Sequence, residues 1–186
     1  PMSILSVLGK IGTSDPVEAR ESFAALAADF AFEKIGRAPA RFSEDELKRV
    51  NAQLIHAMDY AAAKPRLAAR NADLGEEFWT TVRANLHFFH DVDEWARVVA
   101  GPIDPVIPDP AFAKAAGEVL PKGPYNGESW KAFVDAVKAK TGAKGKALFM
   151  PLRQALTGMD HGPEIAPLFA LIGEDRARAR LGGTPA

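Results

Sequence analysis

Apolar residues along this chain recur every three or four positions, the period of a helix that buries one face. Ile4, Leu5, Leu8 and Ile11 set this spacing in a first helix over residues 1–12. Thr13-Ser14-Asp15-Pro16 reads as a turn into a second helix whose inner face is Phe23, Leu26, Ala27 and Phe30. Arg37-Ala38-Pro39-Ala40 reads as an extended linker, because the residue before a proline avoids helix. Ser43-Glu44-Asp45-Glu46 has the form of a capping box and opens a helix carrying Leu47, Val50, Leu54 and Ile55. A short helix follows from Tyr60 to Asn71. The next, opened by Leu74-Gly75-Glu76-Glu77, carries Phe78, Val82, Leu86 and Phe89 with Trp79 alongside, and one capped by Asp93 carries Trp95, Val98 and Val99.

Pro102, Pro105, Pro108 and Pro110 then interrupt every periodic pattern and mark the clearest boundary in the chain. Beyond them the spacing predicts helices over residues 109–120, 127–141, 145–157, 163–172 and 174–181. No segment alternates apolar and polar residues as a strand would, and Val106-Ile107 is too short. The expected fold is all-α: two small helical bundles in series, residues 66–101 and 102–186, preceded by a helical region, residues 1–65.

The most informative stretch is Lys144 to Ile172. Leu148, Leu152, Ala155 and Leu156 form one apolar helix face, while Arg153 and Gln154 leave it. Thr157-Gly158 ends the helix, Met159-Asp160-His161-Gly162 is a loop, and Pro163 suits the first turn of a new helix.

Composition narrows the class. Of 186 residues, 47% are hydrophobic, enough for a core, and no apolar run is long enough to span a membrane. The first residues, PMSILSVLGKIG, lack the basic start of a secretory signal and begin on Pro, as a piece of a longer polypeptide would. The absence of cysteine excludes disulfides and Cys-type zinc sites and agrees with a cytoplasmic protein. Net charge is −1 overall, but residues 1–120 carry −5 and residues 121–186 carry +4, so the last third is better suited to meet phosphate.

Signals for catalysis are weak. GKIGTS at residues 9–14 and GAKGK at 142–146 do not complete a phosphate-binding loop, and neither follows a strand. His87 and His90 are spaced to share a helix face near Asp91 and Asp93, but without further ligands they read as ordinary helix residues, and no metal site is expected. Glu44, Asp45 and Glu46 are explained by a helix N-terminus. RNA contact has better material: Arg153 at the loop, Gly162 with no side chain to obstruct a base, Ile165 as an apolar wall, and Lys144 and Lys146 for phosphate. The plainer alternative is a tight interhelical turn in which Arg153 pairs with Asp160 or Glu164.

GKALFMPLRQALTG, followed by HGPE and LFALIG, resembles the C-terminal anticodon-binding region of bacterial glutamyl-tRNA synthetases, as does RAPARFSEDELKRVNAQLIHAM earlier in the chain. In that second stretch Arg49 and Leu54 stand where the family has a tryptophan and an aromatic. The resemblance is strongest over residues 37–58 and 144–181, and weak over 59–75 and 102–125. It implies a parent enzyme that joins glutamate to its tRNA with ATP and magnesium. This part would contribute anticodon recognition, with no cofactor or catalytic residue of its own, since the family's HIGH-like and KMSKS-like motifs are absent. Residues 1–65 would then be the end of the region that touches the tRNA stem. The implied partners are the tRNA anticodon loop and the chain's own catalytic domain, with no membrane and no DNA. The implied RNA-binding residues are Lys144, Lys146, Arg153, His161, Gly162, Pro163 and Ile165. The family's arginine for the last anticodon base falls at Arg83 or Asn85. The rival expectation is a helical protein-interaction domain with no RNA role.

Overall fold

The computed structural model describes residues 1–37 and 39–186; Ala38 of the expected linker lies outside them. The fold is all-α. Among the described residues the nearest approach to a strand is one isolated antiparallel bridge, between Thr13 and Ile35. No described helix is long and apolar enough to cross a membrane.

The first helix, α1 (Met2–Lys10), does not turn the expected face inward. Ser6, Val7 and Lys10 are buried, while Ile4, Leu5 and Leu8 are exposed. Polar partners set this rotation. The Arg20 N–H donates to the Ser6 hydroxyl at 3.0 Å, and the Lys10 ammonium donates to Asp15 at 2.9 Å. Leu26 also fills the space where Gly9 has no side chain. The second helix, α2 (Phe23–Ala28), is shorter than expected. It buries Leu26 and leaves Phe23 and Phe30 exposed.

The middle of the chain contains α3 (Glu44–Ala57), α4 (Tyr60–Ala68), α5 (Glu76–Val82) and α6 (Val92–Ala100). Ser43 caps α3 by accepting the Glu46 N–H, but Glu46 turns to Arg49, so only half of the expected capping box forms. The Met58 carbonyl, just past α3, accepts from both the Trp79 indole at 2.9 Å and Arg83 at 2.8 Å. Asn51 donates to the His87 carbonyl, and the His56 ring meets the Leu86 carbonyl. These contacts pull residues 83–87 onto α3 and end the helix expected to run from Phe78 to Phe89. It is replaced by α5 and two 3₁₀ turns, Arg83–Asn85 and Phe89–Asp91. Asp91, not Asp93, stands at the N-cap position of α6, but it makes no side-chain cap bond there: its carboxylate turns back to accept the N–H groups of His87 and Phe88, ahead of the Phe89–Asp91 turn. Asp93 instead pairs with Arg70. Trp79 is fully buried, whereas Phe88 is exposed and stacks on His90.

Past the proline run, α7 (Pro110–Glu118), α8 (Gly127–Thr141), α9 (Lys146–Thr157) and α10 (Ile165–Leu181) follow closely the predicted spans. Pro110 is the first residue of α7 and lies under an Asp109 cap. Gly173, at φ 79°, breaks α10 where the pattern changed helix. Tyr125, Trp130 and Phe133 gather around Phe169, with ring centroids 4.2–5.4 Å from it. One hydrophobic cluster extends from Ile55 to Leu181 and includes residues from both sides of the prolines.

Arg180 lies inside this cluster, fully buried. It donates to the carbonyls of Val98 at 2.8 Å, Leu156 at 2.7 Å and Gly101 at 3.1 Å, and to the backbone oxygen of Ala186 at 2.8 Å. Burial lowers its pKa to about 10. The ends of α6 and α9 are thereby joined to α10. Removing the guanidinium strands several buried carbonyls, so Arg180→Met is expected to destabilise the chain by about 3 kcal/mol in urea denaturation.

A pH effect follows from the Arg70–Asp93 pair. The hydrogen bond from Arg70 holds the Asp93 carboxyl below its ordinary value of 3.8. The stability it adds is therefore complete above that value and fades as pH falls through the lower, folded-state pKa. Asp93→Asn should flatten this part of the acid limb of the stability curve; an unchanged limb would contradict the assignment.

Candidate nucleic-acid interface

Two glycines frame α9. Gly145 precedes it at φ 54° and Gly158 follows it at φ 73°, both in the left-handed range that disfavours other residues. At Gly158 the Asp104 carbonyl lies 3.0 Å from where a Cβ would stand. Pro151 within α9 has no N–H for the Ala147 carbonyl, which loses its helical donor. Thr157 closes the last turn, donating to the Arg153 carbonyl at 2.7 Å and accepting the Met159 N–H at 3.1 Å.

The loop after Gly158 is held from two sides. Arg153 donates to the His161 carbonyl at 3.1 Å and the Pro163 carbonyl at 2.7 Å. It is half-buried, and burial pushes its pKa down. The alternative pairing of Arg153 with Asp160 or Glu164 does not form; these carbonyl contacts take its place. On the other side, Gly162 at φ 116° rests on Trp95, and a Cβ there would overlap three carbons of the indole. Pro163 is buried within the loop, and α10 begins two residues later than the sequence suggested, at Ile165. Ile165 is half-buried against the core cluster.

The outer side of the loop is polar and open. Lys144, Lys146 and His161 are exposed. The His161 ring meets the Asp160 carboxylate at 2.8 Å. That hydrogen bond, chiefly, holds the Asp160 carboxyl below the usual range. Beside the loop, an open cavity of about 430 Å³ is lined by Glu94, Arg97, Asp104 and the Thr157–Met159 segment.

The structure therefore brings together Arg153, His161, Gly162, Pro163 and Ile165, with Lys144 and Lys146 exposed at the start of α9. Arg83 and Asn85 belong to another group. They sit on the 3₁₀ turn against α3, where Arg83 is committed to the Met58 carbonyl and Asn85 is exposed. His87 and His90 share no helix, and no group of three His, Cys, Asp or Glu converges for a metal among the described residues.

Three contributors escaped the sequence reading. Trp95 was legible as an apolar helix residue, but not as the seat of Gly162. Arg180 has nothing in the sequence to set it apart from Arg176 and Arg178. Phe149 did carry a signal: it falls outside the Leu148–Leu152–Leu156 face and three residues after Lys146.

An anticodon binding domain family model matches residues 22–184. The chain is 53% identical to glutamate–tRNA ligase 1 of Parvibaculum lavamentivorans over 98% of its length, and 50% identical to glutamate–tRNA ligase 1 of Maricaulis maris over all of it. It spans about two fifths of those relatives, 41% and 42%. Among solved structures, a glutamate tRNA ligase from Elizabethkingia meningosepticum matches 97% of this chain with 40% of its own, at a TM-score of 0.78 and 20% identity, a likeness of fold.

The contact between Gly162 and Trp95 predicts a coupled pair. Gly162→Ala should cost about 2 kcal/mol or more, from overlap with the indole and from the positive φ. In a Trp95→Leu background the added cost should shrink, as a double-mutant cycle by urea denaturation would show. Additive costs would mean that Trp95 does not set the loop.

Proposed function

We propose that this chain, which belongs to the anticodon-binding domain family, recognises a tRNA anticodon loop as the C-terminal part of a glutamate–tRNA ligase. In this reading the whole enzyme joins glutamate to its tRNA with ATP and magnesium, in the cytoplasm. The chemistry belongs to a catalytic domain elsewhere in the polypeptide, and residues 1–186 bind and orient RNA.

The observation that carries the reading is the loop between α9 and α10. Arg153 and Trp95 fix its backbone, His161 is exposed on it, and Lys144 and Lys146 are exposed at the start of α9. A single-stranded RNA loop presents splayed bases that are read by stacking and edge hydrogen bonds, with cations on the phosphates. A fixed backbone loop with free lysines beside it suits that task. Arg153 acts mainly as a positioning residue, since two of its nitrogens already hold carbonyls. His161, Gly162, Pro163 and Ile165 present the surface to the bases. Asn85, with a free amide able to donate and accept, is the better of the two residues for a third-base contact, because Arg83 is already committed to the Met58 carbonyl.

The three parts read from the sequence take distinct roles here. Residues 1–65 meet the tRNA stem and the catalytic domain, and residues 66–101 and 102–186 form the anticodon-binding helical cage. The exposed Ile4, Leu8, Phe23, Phe32 and Phe42 favour a protein contact in that first part, such as the chain's own catalytic domain.

Fluorescence titration against three anticodon stem-loops tests the function. The expected order is glutamate anticodon tightest, glutamine weaker and an unrelated loop weakest. The logarithm of affinity should fall linearly with the logarithm of salt concentration, and Lys144→Ala with Lys146→Ala should reduce the slope by roughly 0.7 for each phosphate no longer neutralised. Equal affinity for all three loops, with a salt slope insensitive to the two lysines, would reject the reading.

A further inference from the structure

Phe149 is 45% exposed, although it lies in the first turn of the well-packed helix α9. Its neighbours Leu148 and Leu152 are almost wholly buried, so the helix has its core face without it. At about 100° per residue, Lys146, Phe149 and Arg153 fall within an arc of roughly 60°. Along the axis, Phe149 lies about 4.5 Å from Lys146 and about 6 Å from Arg153. The ring thus stands between an exposed ammonium and the guanidinium that grips the loop at His161 and Pro163.

Its surroundings separate it from three other exposed aromatics. Phe30 and Phe32 pack edge to face, 5.1 Å apart, in the apolar N-terminal region. Phe88 already stacks on His90. Phe149 instead shares its side of α9, by helical spacing, with Lys146 and Arg153. An apolar protein partner needs a contiguous apolar patch, and the residues one turn before and after Phe149 on this side are both charged. A nucleobase needs one flat apolar face with cations beside it for the flanking phosphates.

We propose that Phe149 is a stacking platform for one unpaired base of the bound RNA loop, an inference that rests on the anticodon reading above. The contact uses the face of the base and is indifferent to its edge. It would hold the strand against α9 while the 161–165 loop reads the neighbouring base edges. Phe149 therefore contributes affinity and register, and the loop contributes discrimination.

The test uses the whole 186-residue chain and glutamate-anticodon stem-loops carrying 2-aminopurine at one loop position at a time. Stacking on Phe149 should quench the probe at one position above all. Phe149→Trp and Phe149→Tyr should retain the quench and bind within about twofold of the parent chain. Phe149→Leu, similar in volume and apolar, should lose the quench and weaken binding about tenfold for glutamate and unrelated loops alike. Its urea midpoint and salt slope should not change, whereas Lys146→Ala should change the slope.

Unchanged affinity and quench in Phe149→Leu would overturn the inference while leaving the anticodon reading intact. So would equal impairment of the Leu, Trp and Tyr variants, since shape would then matter and stacking would not. Failure of the parent chain to bind any stem-loop would instead remove the anticodon reading, and this inference with it.

Discussion

A buried guanidinium whose hydrogen-bond partners among the described residues are all backbone oxygens holds the C-terminal half of this molecule together. Arg180 takes up carbonyls at the ends of α6 and α9 while anchored on α10. Helix C-termini carry partial negative charge and unpaired carbonyls, so a cation is suited to this position. Its burial is still costly, as the lowered pKa shows, and the hydrogen bonds offset that cost. Through Arg180 the end of α9 is tied to α6, the helix that presents Trp95 to Gly162.

The same device recurs at the surface. Arg153 also directs its charge to carbonyls, here those of His161 and Pro163. One arginine fixes where α9 ends and the other fixes the course of the chain beyond it. Between them, Gly158 and Gly162 accept positive φ angles in spaces closed by Asp104 and Trp95. The loop is thus built before any partner arrives, and its order need not be supplied at binding. The charges free to meet a partner are the lysines flanking this scaffold.

Much of this was legible in the sequence because the C-terminal helices obey local rules. Proline at the start of α7, the Asn126 cap of α8 and the glycines after α8 and α9 each act within a few residues. The loop residues could also be named in advance, because the motif around LTG and HGPE is continuous. What local rules cannot show is a bond across distance. The rotation of α1 depends on Ser6 meeting Arg20, and the break after α5 depends on Met58 and on contacts from Asn51 and His56. Arg153 was legible as a helix residue beside the loop, but the only protein partners the sequence suggested for it were acids, and the structure gives it carbonyls instead. Carboxylates are easy to find in a sequence, whereas a carbonyl acceptor belongs to every residue and is identified only by the fold.

The central claim is that a preformed loop, fixed from within by Arg153 and Trp95, is the surface that meets RNA. The most direct measurement is a crystal structure of the 186-residue chain bound to a glutamate-anticodon stem-loop. The account predicts loop bases lying along Lys146, Phe149 and residues 161–165, with the Arg153–carbonyl bonds and the Gly162–Trp95 contact retained. RNA bound elsewhere, or a loop rebuilt with Arg153 withdrawn from His161 and Pro163, would contradict it.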